Sequence, residues 1–179
     1  FRSAHLPVVK TYKKDFSKTI AANMHIAYYQ RYYVQSLEAL DTYLNALTAY
    51  DTITLGVTQQ VSGVSKTAKA IRNGEDGIYR GKEYVKYLHS LYPKVKEKHY
   101  SLYFFDIDYD DAIPKHFQLA TVEEVRASLI RLIPELSTVG MLFRHSSSSG
   151  IYNSETGERR SKFDNFHVYA VTANSSEES

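Results

Sequence analysis

Cysteine and tryptophan are both missing from this chain. Without cysteine there can be no disulfide, no thiolate metal site and no cysteine nucleophile, and a reducing compartment is compatible. Proline occurs only four times and glycine eight times, which excludes collagen-like and low-complexity sequence. Charge of one sign is scarce too. The 22 Lys and Arg nearly balance the 20 Asp and Glu, for a formal net charge of +2. That argues against a protein that coats nucleic acid by charge alone, while leaving room for a local basic groove. No apolar run approaches the roughly 20 residues of a membrane span, so no membrane partner is expected. The chain opens on Phe1, and is therefore read as a fragment or a processed product.

What remains is an ordinary globular composition. Of 179 residues, 43% are hydrophobic and 23% charged, enough for one domain over residues 1–179 with a real core. The aromatics lean on tyrosine, 16 Tyr against 8 Phe. Tyrosine packs and still hydrogen-bonds, so it suits core edges and binding faces alike.

Periodicity places the elements. Residues 6–12 read as an edge strand with Pro7 at its start, and residues 24–33 show no clean period. Ser36 is a good N-cap for a helix over 36–49, with Leu37, Leu40, Leu44 and Leu47 as its apolar stripe. Residues 52–57 read as a strand, 58–82 as a flexible basic loop containing Lys66 and Lys69, and 82–91 as a helix stopped near Pro93. A strand follows over 101–109. Thr121 and Glu124 form a capping-box pair that opens a helix over 121–134, whose buried stripe is Val122, Val125, Leu129 and Leu132. Strands are expected at 139–143 and 166–171, and a frayed acidic tail from residue 173. The expected fold is α+β: a mostly antiparallel central sheet with helices 36–49 and 121–134 on one face and a site on the other.

Four clusters carry candidate chemistry. In Tyr103-Phe104-Phe105-Asp106-Ile107-Asp108 the two aspartates share one face of a strand. Adjacent carboxylates repel unless a cation lies between them, and Mg²⁺ or Mn²⁺ with oxygen ligands suits such a pair. Asp110 keeps the same parity and is a third candidate ligand, so the motif register is 106/108 or 108/110. The plainer reading is a set of turn-capping acids. Next, Arg144-His145-Ser146-Ser147-Ser148-Ser149-Gly150 follows a strand. Its small residues can bring amides and hydroxyls to an anion, with Arg144 gripping phosphate oxygens, or it is a flexible surface loop. His167 shares a strand face with Tyr169, opposite the apolar Phe166, Val168 and Ala170, which turns it away from the core. Its alternative is a hydrogen-bonded structural histidine. Last, Lys66, Lys69, Arg80 and Lys82 suit a phosphate backbone, or belong to a solvated charged loop.

The order of these signals resembles the archaeo-eukaryotic primase superfamily. The apolar strand ends in Asp106-Ile107-Asp108, and a helix, a strand, the serine run Ser146–Ser149 and a strand bearing His167 follow. More narrowly it is similar to the primase-polymerase modules of phages, plasmids and mobile elements, which are often fused to a helicase. Arg144–Tyr152, Ile78–Tyr84 with its Arg80-Gly81-Lys82-Glu83, and Pro7–Thr11 carry the likeness. The resemblance implies an RRM-like catalytic core and a DNA primase or polymerase activity, that is, a nucleotidyltransferase of DNA replication in the cytoplasm of a bacterial host. Asp106 and Asp108, with Asp110 as a further candidate, would be metal-binding through magnesium or manganese. Asp106, Asp108 and His167 would be catalytic. Arg144, Ser146, Ser147, Ser148, Ser149 and His167 would be nucleotide-binding. Arg80, Lys82, Lys66 and Lys69 would be DNA-binding, on a single-stranded template. The implied partners are nucleoside triphosphates, that template, and a fused or separate helicase.

One departure concerns the family's third acidic motif. After His167 the only acids are Glu177 and Glu178, so the third carboxylate is expected beyond the present C-terminus. The alternative is a non-catalytic nucleic-acid-binding module that retains the primase fold. Other Asp-x-Asp enzymes fit less well. A haloacid-dehalogenase-type phosphatase would need Thr or Val where Asp110 stands, a toprim domain would need a Glu on an earlier strand, and a glycosyltransferase gives the Ser and His residues no role.

Overall fold

Alternating apolar residues in Phe166, Val168 and Ala170 give one strand a face that must be covered, and this demand organises the second half of the chain. The computed structural model describes residues 2–4, 7, 10–20, 27–30, 32, 34–53, 57–58, 62–65, 78–79, 100–109, 112–114 and 117–173. Contacts group the chain into two compact units, one drawn from residues before Tyr100 and one spanning Tyr100–Ala173. The fold is α+β, and every described strand pair is antiparallel.

In the first unit the strands are short. They are β1 (Arg2–Ser3), β2 (Lys10–Tyr12), β3 (Lys18–Ile20) and β4 (Ala27–Gln30). Helix α1 (Leu37–Asn45) follows, then β5 (Val57–Thr58), β6 (Ser62–Ser65) and β7 (Ile78–Tyr79). They form a three-stranded sheet ordered β1-β4-β6 and two pairs, β2-β3 and β5-β7. Of the expected edge strand over 6–12, Lys10–Tyr12 form β2, Pro7 is not in a strand, and residues 6, 8 and 9 lie outside the described residues; the open stretch 24–33 contains β4. Helix α1 is capped by the Ser36 hydroxyl, which accepts from the Ala39 amide at 3.1 Å. It ends at Asn45 rather than residue 49, where the ladder tightens: the Ala46 amide is shared between the Thr42 and Tyr43 carbonyls, and the Leu47 amide bonds only three residues back, to Leu44 O. Leu40 is buried and Leu47 lies beyond the helix.

Two further expectations need correction here. Of the expected strand 52–57, Thr52 and Ile53 are not in a strand, Val57 opens β5, and residues 54–56 lie outside the described residues; the chain pairs through a bridge between Asp51 and Arg2. The segment 58–82 is not loop throughout. β6 pairs with β4 and β7 with β5, because backbone groups supply ladders whatever the polarity of the side chains. Helix 82–91, Lys66, Lys69, Arg80, Lys82, Asp110 and residues 174–179 of the tail lie outside the described residues, whereas Ala173, expected to fray, ends β10.

The second unit holds one sheet. β8 (Tyr100–Ile107), β9 (Met141–His145) and β10 (Phe166–Ala173) pair in the order β8-β10-β9, with helix α2 (Val122–Leu132) and a 3₁₀ turn (Pro134–Thr138) between β8 and β9. Thr121 and Glu124 complete the capping box in both directions. Val125, Leu129 and Leu136 pack on Phe166, Val168 and Ala170, with Phe105, Ile107 and Phe143 from the flanking strands. Leu132, expected in the buried stripe, is 74% exposed. The helix ends at Leu132, ahead of Pro134, and Leu136 in the following turn supplies the buried leucine. β9 starts two residues later than expected and extends to His145. Helix α2 therefore covers one face of this three-stranded sheet, and the opposite face carries the polar residues. In place of a single central sheet bearing both helices, the described strands form four small sheets.

Candidate functional site

Strand register decides which side chains meet. Across β8-β10-β9, His167 stands opposite Asp106 on one side and Arg144 on the other. Residues directly opposite point to the same face, so Asp106, His167 and Arg144 form one row on the face away from α2. The imidazole Nε2 lies 3.4 Å from Asp106 Oδ1, an ion-pair distance when the histidine is protonated. The Asp106 side chain is 52% exposed and that of His167 32%, so the row is open to a ligand.

Two residues along the same face comes a second row. Carrying the register past Ile107 opposite Phe166 brings Asn165 opposite Asp108 and Ser146. The side chains confirm the alignment. Asn165 Nδ2 donates to Asp108 Oδ1 at 2.8 Å and to Ser148 Oγ at 2.9 Å. Its Oδ1 accepts from the Tyr109 amide at 2.7 Å. A backbone amide only donates, which fixes the orientation of the side-chain amide. Asn165 is buried, and its main chain is held as well: its carbonyl accepts from the Ser146 amide and the Ser149 hydroxyl, and its amide donates to Ser149 Oγ.

The serine run is consequently a folded turn and not a loose loop. The amides of Ser146, Ser148, Ser149 and Gly150 donate to Asn165 O, Ser146 Oγ, Ser146 O and Asp164 Oδ1 respectively. The Ser146 and Ser148 hydroxyls share a 2.7 Å hydrogen bond. These four amides are turned into the protein, so the expected amide cradle for an anion is not formed by them. Ser147 is exposed. Gly150, at φ 67°, closes the turn in the left-handed region that glycine tolerates best. Beside it, Asp164 binds the Arg159 guanidinium at 2.8 Å and lies 3.7 Å from His145 Nδ1.

Aromatic residues floor the first row. Phe104 sits 5.2 Å from the His167 ring and 5.3 Å from Tyr169, and is itself 39% exposed. Burial pushes the Tyr169 hydroxyl above its usual pKa; the Asp106 charge adds to this and Arg144 opposes it.

Of the residues expected in a site, the structure brings Asp106, His167 and Arg144 into one row and ties Asp108 to the serine turn. Asp110 and the four basic residues are outside the described part. The sequence reading missed Asn165. Its parity with His167, two residues on, was the available signal. Asp106 and Asp108 offer hard oxygen donors on an open face, which fits a divalent cation completed by water and phosphate oxygens. Among the described residues there is no group of three His, Asp or Glu able to hold a metal, and none of the helices is long and apolar enough to cross a membrane. No protein-family model matches the chain, and no curated protein or solved structure matches it significantly.

Proposed function

We propose that this face binds a nucleoside triphosphate with a divalent cation and serves nucleotidyl transfer, as in the primase-polymerases of phages, plasmids and mobile elements. The carrying observation is the Asp106–His167–Arg144 row across three strands, with Asp108 held one row away. An acidic end suits a cation, and the cationic end suits phosphate oxygens. In the reaction, a hydroxyl oxygen bonds to the α-phosphorus, the bond to the bridging oxygen breaks, pyrophosphate leaves, and the hydroxyl proton passes to solvent. Bound Mg²⁺ or Mn²⁺ neutralises the phosphates and lowers the proton affinity of the attacking hydroxyl. Asp106 and Asp108 would hold the cation. His167 and Arg144 hold and orient the triphosphate, which is most of what phosphoryl-type transfer asks of a protein. A single-stranded template and a helicase partner complete this reading.

The test is binding of a labelled nucleoside triphosphate with and without Mn²⁺ or Mg²⁺, beside Asp106→Asn/Asp108→Asn and His167→Ala. Metal-dependent binding that the double aspartate variant removes and His167→Ala weakens is the expected result. Nucleic-acid binding that ignores metal and both variants would instead establish a non-catalytic binding module.

A further inference from the structure

All four polar groups of Asn165, main-chain and side-chain, are hydrogen-bonded within the protein. Its side chain is buried just before the central strand β10 and joins three segments: the end of β8 through Asp108 and Tyr109, the start of β10, and the serine turn through Ser148. Burying an amide without partners is costly, so its four side-chain and main-chain polar groups act as a set. Asp108 lies just past the last residue of β8. The Asn165 Nδ2 bond at 2.8 Å is the contact that restrains its carboxylate.

We infer that Asn165 is a positioning residue that fixes the Asp108 carboxylate, and that the serine turn acts on the site through Asn165. This rests on the metal reading of the site given above. The Ser146 amide and the Ser149 exchange of hydrogen bonds with the Asn165 main chain hold Asn165 in place. Asn165 in turn leaves Asp108 Oδ2 as the oxygen turned away from the tether. Residues that orient a ligand's carboxylate from behind typically change metal affinity 10–100-fold when removed.

The experiment has two arms on the full chain. In the first, Mn²⁺ affinity is titrated for the unsubstituted protein and Asn165→Ala, with circular dichroism reporting whether the variant folds. Binding about tenfold weaker in folded Asn165→Ala is expected; equal binding overturns the inference. In the second, the Asn165 side-chain amide is followed by ¹⁵N NMR in the protein with Asn165 intact, which needs no folded Asn165 variant. It is expected to shift on Mg²⁺ addition and on Asp108→Ala. A signal indifferent to Asp108→Ala overturns the tether. If the unsubstituted chain binds no metal, the nucleotidyl-transfer reading falls, while an amide shifted by Asp108→Ala still supports the tether.

Discussion

His167 faces Asp106 directly across an antiparallel pair, with Nε2 3.4 Å from Oδ1. The two are neighbours through register alone, from strands about 60 residues apart in the chain, so a one-residue slip would turn His167 into the core. Because the histidine is assigned to phosphate and the aspartate to cation, their losses should differ in kind. His167→Ala should weaken triphosphate binding by about tenfold or more, the loss of one charge-assisted hydrogen bond, while Mn²⁺ binding changes little. Asp106→Asn should reduce both. Separate calorimetric titrations of Mn²⁺ and of triphosphate distinguish the two, and equal losses in both titrations for His167→Ala would contradict the division of roles.

Arg144 closes the row on the far side of His167. If its guanidinium meets phosphate oxygens, Arg144→Ala should weaken triphosphate binding more than nucleoside binding, and should flatten the salt dependence of the former. Arg144→Lys should recover only part of the loss, since an ammonium cannot make the planar two-point contact. Affinity measured at two ionic strengths for triphosphate and nucleoside decides this.

The second half of the chain was more legible than the first, for physical reasons. The capping box at Thr121 and Glu124 is a local signal and appears as read. Strand parity put His167 on the polar face without any structure, because period two is intrinsic to a strand. In the first half, β1, β5 and β7 are two residues long, too short for periodicity to show, and β6 reads Ser-Gly-Val-Ser. Such strands exist because a partner supplies hydrogen bonds from distant sequence. The serine turn misled for a related reason: composition announces small residues, but where their amides point depends in part on distant residues, Asn165 for the Ser146 amide and Asp164 for that of Gly150.

The substitution of Leu132 by Leu136 in the core gives a stability contrast. Leu136 is 2% exposed and Leu132 74%. Leu136→Ala should destabilise by about 2–5 kcal/mol through lost transfer energy and a residual cavity. Leu132→Ala should fall within about 0.5 kcal/mol of the parent. Urea denaturation of both variants tests this, and a large loss at Leu132 would mean that the helix face is assigned wrongly.

A pH prediction comes from the first unit. Asp51 accepts from Arg2 Nε at 2.9 Å and Nη2 at 3.0 Å, and from the Thr48 amide and hydroxyl at 3.0 and 2.7 Å. The Arg2 bond, helped by Thr48 and opposed by burial, holds the Asp51 carboxyl well below the usual carboxylate range. The ionised form is thus favoured in the folded state. Its contribution is fully present above the unfolded value of about 3.9 and is lost as pH falls from there through the folded value. The Asp51 side chain is 12% exposed but that of Arg2 is 60%, so solvent screens the pair and the effect should be modest. Asp51→Asn should lower the melting temperature by about 2–4 °C at pH 7. The gap between parent and variant should hold down to about pH 4 and narrow below it. A gap that closed already between pH 7 and 5 would show that another group, and not the Asp51 carboxylate, controls the acid response.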